Sequence, residues 1–167
     1  MFNPFRWSFR AQCLAGFLVC AALYAYAIYV QFALGIEPCP MCIFQRIVFI
    51  VMAILFVAGA MQNPKVRGRR VYALLLLLTA GIGVGIAARH LWVQHQPPDL
   101  MAGCAPGLNY MVANFPLSKT LKMAFTGSAD CAQVSWTFLG LSMPFWTLLC
   151  YALLGAGALW AGFRQRR

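Results

Sequence analysis

Charge is what this chain has least of. Only 10% of its 167 residues are charged, and only three of those are acidic. Average soluble domains carry about 25% charged residues. Hydrophobic residues make up 62% of the chain, and so few charges could not shield that apolar surface from water. These figures exclude an ordinary cytosolic enzyme, a disordered chain and a collagen-like chain. Long repeats and low-complexity segments are missing, and so is the strict alternation of a half-buried strand. What remains is an integral membrane protein made of helices, because within lipid each backbone polar group must bond inside its own segment.

The thirteen basic residues set the formal charge at +10. A nucleic-acid module would interleave them with polar and aromatic residues in a patch. Here they cluster between apolar runs: Arg6 and Arg10, then Lys65, Arg67, Arg69 and Arg70, then Arg164, Arg166 and Arg167. No nucleic-acid partner is expected. A bilayer core about 30 Å thick needs roughly 20 apolar residues at 1.5 Å each. Four runs qualify, at about 11–34, 43–61, 71–94 and 144–163. They predict an all-α, four-transmembrane-helix bundle, a single membrane domain over 1–167. The first run exceeds the roughly 7–15 apolar residues of a cleaved signal, so it is expected to stay as a span.

Nine of the thirteen basic residues lie at the N-terminus, in 62–70 and at the C-terminus. The 35–42 loop has none, and the long 95–143 loop has only Lys119 and Lys122. Positive residues favour the cytoplasmic side, which puts both termini inside and both remaining loops outside. Within the long loop, Pro116 precedes Leu117, Leu121 and Phe125 at spacing four. That pattern predicts a short amphipathic helix on the membrane surface.

Of seven cysteines, Cys13, Cys20 and Cys150 fall within spans and suit small apolar packing positions. Cys39 and Cys42 form Cys39-Pro40-Met41-Cys42, and Cys104 and Cys131 lie in the long loop. All four are expected on the oxidising side, where disulfides persist. The segments expected inside carry no cysteine, so nothing there could receive reducing equivalents for export. Four cysteines allow three pairings. A Cys39–Cys42 ring is very short and suits a redox centre. Closing a Cys104–Cys131 loop would give about 3–4 kcal/mol, enough for a plain staple. A membrane scaffold or carrier with purely structural disulfides therefore stays open. A four-thiolate zinc site would want a second close pair, so no metal site is expected.

Cys42 stands at the start of the second span, where free amides and the helix dipole favour the reactive thiolate. Arg46 follows four residues later on the same helix face. An arginine in the apolar zone is a functional candidate by default, and its guanidinium can steady a thiolate or donate to an oxygen-bearing ligand. Of the two histidines, His90 is expected to be a polar rim residue. His95 is expected near the depth of Cys42, able to donate to, or exchange protons with, a bound acceptor.

These residues resemble the DsbB family of bacterial inner-membrane disulfide oxidoreductases. The resemblance rests on four spans, on Glu37-Pro38-Cys39-Pro40-Met41-Cys42-Ile43-Phe44-Gln45-Arg46, and on Cys104 and Cys131. Gly127-Ser128-Ala129-Asp130-Cys131-Ala132 and the 136–146 segment match as well. The resemblance implies a membrane thiol:quinone oxidoreductase that reoxidises DsbA, a periplasmic thioredoxin-like oxidant. By family analogy DsbA attacks the Cys104–Cys131 disulfide through Cys104, and electrons pass to Cys39 and Cys42. Cys42 then donates to ubiquinone or menaquinone, assisted by Arg46, with His95 matching a family histidine near the ring. Gln45 stands where the best-known member has an acidic residue.

Overall fold

The computed structural model describes residues 8–35, 38–96, 108–126, 129–132 and 136–164. Four long helices carry the chain: α1 (Phe9–Ala33), α2 (Pro40–Gln62), α3 (Val66–Gln94) and α7 (Met143–Phe163). Each is long and apolar enough to cross a membrane. Between α3 and α7 lie three short helices, α4 (Leu108–Asn114), α5 (Leu117–Thr126) and α6 (Ala129–Ala132). A two-residue pair of strands, β1 (Thr137–Phe138) and β2 (Leu141–Ser142), leads into α7. Cys104 lies outside the described residues.

The helix boundaries follow capping chemistry more than apolarity. The Ser8 side chain accepts from the Ala11 amide and opens α1 two residues before the apolar run. Pro40 opens α2 three residues before its run, because proline suits the first turn of a helix. Asn63 closes α2 in the left-handed region, φ 39°, with its amide on the Gly59 carbonyl. At 29 residues α3 is about 44 Å long, well beyond a bilayer core.

Lipid tails are as apolar as leucine, so membrane helices associate through close packing rather than water exclusion. The most extensive seam joins α3 to α7, followed by α1 with α2 and α2 with α3. Small residues let the α3 and α7 backbones approach. A Cβ added at Gly162 would lie 2.4 Å from Ala73 Cβ, and one at Gly83 would lie 2.8 Å from the Tyr151 ring. Tyr151 is fully buried; its ring stacks on Phe49 at 4.3 Å and its hydroxyl donates to the Gln45 carbonyl at 2.6 Å. One side chain of α7 thus locks α2 and α3 together. The outward faces carry exposed Leu18, Ile54, Leu78 and Leu153, as a lipid-facing surface requires.

The amphipathic helix expected in the long loop is α5. Thr120 and Ala124 are buried, while Leu117, Leu121 and Phe125 form an exposed apolar stripe. Arg89 of α3 donates to the Phe125 and Thr126 carbonyls at 3.2 and 3.4 Å, satisfying the end of α5. The hairpin has no counterpart in the residue pattern. Its turn residues Leu139 and Gly140 have φ of 53° and 78°, the two positive angles of a tight type I′ connection. Strands of two residues are too short to show alternation. Trp146 Nε1 donates to the Phe138 carbonyl at 3.1 Å and pins the hairpin to α7.

Candidate active site

Pro40 starting α2 makes Cys39 its N-cap and puts Cys42 in its first turn. Cys39 Sγ donates to Cys42 Sγ at 3.2 Å. The chain route to this dithiol is short, but its surroundings come from far away in sequence. His90 of α3 is 2% exposed, with Nε2 3.7 Å from Cys39 Sγ. Its Nδ1 is 3.3 Å from Gln45 Nε2, and Thr147 of α7 donates to Gln45 Oε1 at 2.9 Å. Cys131 of α6 is buried against Met41 and Val93, packs beside Cys39 and shares a hydrogen bond with it.

That hydrogen bond acts to lower the Cys39 pKa. The proton that Cys39 donates to Cys42 outweighs it, together with burial, and the Cys39 thiol is pushed up to about 12. Cys39 therefore keeps its proton at neutral pH. Of the pair, Cys42 is the sulfur free to act as a thiolate.

Beside the dithiol opens a mostly apolar cavity of about 400 Å³. Tyr24 and Tyr26 of α1 line it together with Trp136, Phe138 and Trp146. Trp136 stacks on Phe138 at 6.0 Å and meets Tyr26 edge-on at 5.9 Å, so the hairpin and α1 share one aromatic wall. Cys39, Cys42, Arg46 and His90 supply its polar edge. Arg46 donates to Gln31 Oε1 and, at 3.0 Å, to the Ala27 carbonyl, tying α2 to α1. Among the described residues these bonds occupy two of its five N–H groups.

The structure thus brings together Cys39, Cys42, Cys131 and Arg46 from the residues singled out in the sequence. It leaves His95 apart. That ring is exposed, bonds its own helix through Nδ1 to the Leu91 carbonyl at 2.8 Å, and lines no part of the cavity. His90, expected at the rim, is the buried histidine instead. Five residues along a helix turn the side chain by about 140°, so the two histidines cannot share a face. The available signal was spacing: His90 continues the buried row of Gly83, Ile86 and Ala87. Gln45 lies within the motif that carries the family resemblance, but nothing there pairs it with His90, and Thr147, which donates to Gln45, is marked by no motif.

A multi-pass helical membrane protein with a Cys-x-x-Cys dithiol at a helix N-terminus, on the wall of an apolar cavity, is a membrane-embedded dithiol protein. The chain belongs to the DsbB family: the family model for disulfide bond formation protein DsbB matches residues 9–161. Over 166 residues it is 52% identical to "Disulfide bond formation protein B" of Xanthomonas axonopodis pv. citri (strain 306), covering 99% of this chain and 96% of that one. The protein of the same name from Methylococcus capsulatus (strain ATCC 33009 / NCIMB 11132 / Bath) is 52% identical over 152 residues, covering 91% and 93%. That of Xylella fastidiosa (strain 9a5c) is 46% identical over 166 residues, covering 99% and 96%.

Proposed function

We propose that this protein is a thiol:quinone oxidoreductase of a bacterial inner membrane, with both termini cytoplasmic and its cysteine-bearing segments periplasmic. It reoxidises a DsbA-like thioredoxin-fold partner, passing electrons through Cys104 and Cys131, then Cys39 and Cys42, to a membrane quinone. The observation that carries this reading is a dithiol on the wall of an apolar cavity whose polar edge includes Arg46 and His90. A soluble dithiol cannot enter lipid and a quinone cannot leave it, so sulfur at the boundary links the two.

The cavity suits a quinone head. Its volume of about 400 Å³ is that of a small-ligand pocket. Its aromatic walls offer faces for a planar ring, and Arg46 has N–H groups to aim at a carbonyl oxygen. When bound, the quinone supplies a two-electron acceptor.

In the proposed route the partner's thiolate attacks Cys104 of a Cys104–Cys131 disulfide, and the electron pair of the broken bond leaves on Cys131. Cys131, beside Cys39, then attacks Cys39 of a Cys39–Cys42 disulfide. A Cys131–Cys39 bond forms, the Cys39–Cys42 bond breaks, and Cys42 departs as a thiolate on the cavity wall. Arg46 steadies that charge. His90 takes the proton-handling role that position along the third span suggested for His95, since its Nε2 is 3.7 Å from Cys39 Sγ. The partner's second thiolate then breaks the partner–Cys104 bond, and the partner leaves as a disulfide. Cys104 re-forms its bond with Cys131 and releases Cys39, and Cys39 and Cys42 pair again. Over the full cycle the partner dithiol gives up two electrons and two protons, which the membrane acceptor takes up.

The test uses the whole protein in detergent with a reduced DsbA-type partner and a ubiquinone analogue. Quinone should disappear in step with partner thiols, and replacing Cys39, Cys42, Cys104 or Cys131 by serine should stop turnover. Undiminished turnover in Cys42→Ser would overturn the reading.

A further inference from the structure

Three metal-binding atoms converge at the cavity edge from two helices. Cys39 Sγ, Cys42 Sγ and His90 Nε2 all lie within 4.8 Å of one another, with separations of 3.2 Å between the sulfurs and 3.7 Å from Cys39 Sγ to Nε2. Tetrahedral zinc, with bonds of about 2.3 Å to sulfur and about 2.0 Å to nitrogen, requires edges of about 3.8 Å and about 3.5 Å. No separation has to change by more than about 1.3 Å to convert one arrangement into the other. The spacing Cys-x-x-Cys is also the usual one for a pair of zinc thiolates.

The shell behind His90 fits as well. A ligating histidine needs its metal-side nitrogen unprotonated and its other N–H held by an acceptor. Thr147 lies 2.9 Å from both Gln45 Oε1 and the Pro144 carbonyl, yet its hydroxyl has a single proton. With that proton on Gln45, the amide donates to Nδ1 and the ring proton sits on Nε2, facing Cys39. With that proton on Pro144, Thr147 accepts from the Gln45 amide. Gln45 Oε1 then turns to His90, takes Nδ1–H and leaves the Nε2 lone pair facing the sulfurs.

We propose that the dithiol form binds one thiophilic divalent cation of the Zn²⁺ class through Cys39, Cys42 and His90. Two S–H bonds break, two metal–thiolate bonds form, two protons leave to solvent, and no oxidation state changes. His90 contributes the Nε2 lone pair, and a fourth position remains for water or Cys131. Zinc on both sulfurs prevents them from forming a disulfide, so it is a reversible block on electron flow. That consequence rests on the proposed function; the binding site does not.

The experiment is a Co²⁺ titration of the whole protein in detergent, reduced, freed of reductant and kept anaerobic. Thiolate-to-cobalt charge-transfer bands should grow to one ion per chain and vanish on adding Zn²⁺, while the disulfide form gives none. In unmutated protein labelled with ¹⁵N-histidine, Zn²⁺ should shift the ring signals of His90 and leave those of His95 in place. His90→Ala should weaken binding about tenfold or more. Equal bands in the disulfide form, no bands in the dithiol form, or unmoved His90 signals would each overturn the proposal. Failure of quinone reduction would sink the proposed function and leave this titration unchanged.

Discussion

The seam between α3 and α7 and the mouth of the cavity solve opposite problems with the same helices. Along the seam, Ala73 meets Gly162 and Gly83 meets Tyr151, so that no larger side chain fits. At the mouth, bulky aromatics from α1, the hairpin and α7 surround about 400 Å³ of space. The seam has almost no chemistry and the mouth has almost all of it. His90 belongs to both: it continues the row of small α3 residues and ends among sulfurs. Tight packing on one stretch of α3 is what holds a proton-carrying ring in place on the next.

This contrast predicts separable defects. The largest is chemical: Cys42→Ser should reduce quinone reduction to background while thermal unfolding in detergent stays at the parent value. A matching loss of stability would show that the mouth also carries the fold. Next comes the seam. Gly83→Leu must displace the Tyr151 ring and should destabilise by about 1–3 kcal/mol, read from thermal or denaturant unfolding. Arg46→Ala should raise the KM for quinone about tenfold, the loss of one or two charge-assisted hydrogen bonds, with a smaller effect on thiol exchange with the partner. Equal losses in both would reject its role at the cavity.

The mouth also has a pH signature. Because the Cys39 pKa is raised, its thiolate fraction is small at neutral pH and grows about tenfold per pH unit until the pH approaches 12. Alkylation of the reduced protein at pH 7 should therefore modify Cys42 first. The Cys39 rate should climb without a plateau up to at least pH 10, as peptide mapping can follow. The smallest effect is expected at the hairpin. Trp146→Phe keeps the aromatic wall and removes one hydrogen bond to Phe138, costing about 1 kcal/mol.

What could be read from residue order was whatever depends on near neighbours. The four spans appear as apolar runs, α5 as Leu117, Leu121 and Phe125 at spacing four, and the dithiol as a motif opening α2. What depends on how helices face one another was hidden. Position along α3 suggests a depth for His90 and His95, but only packing against α2 and α7 decides which of them faces the sulfurs. The contacts from Gln45 to His90 and Thr147, and from Cys131 to Cys39, join residues far apart in the chain. The hairpin depends on positive φ at Leu139, which leucine does not advertise.

The grip of Arg89 on the end of α5 has a kinetic side. Thr126 is held there, and Cys131 follows five residues later, so even a fully extended backbone keeps the Cys131 Cα within about 17 Å of that anchor. A reactant on so short a leash meets its target as if dissolved at millimolar strength or above. Loosening the guanidinium clasp should slow the sulfur-to-sulfur handover while sparing every atom that takes part in it.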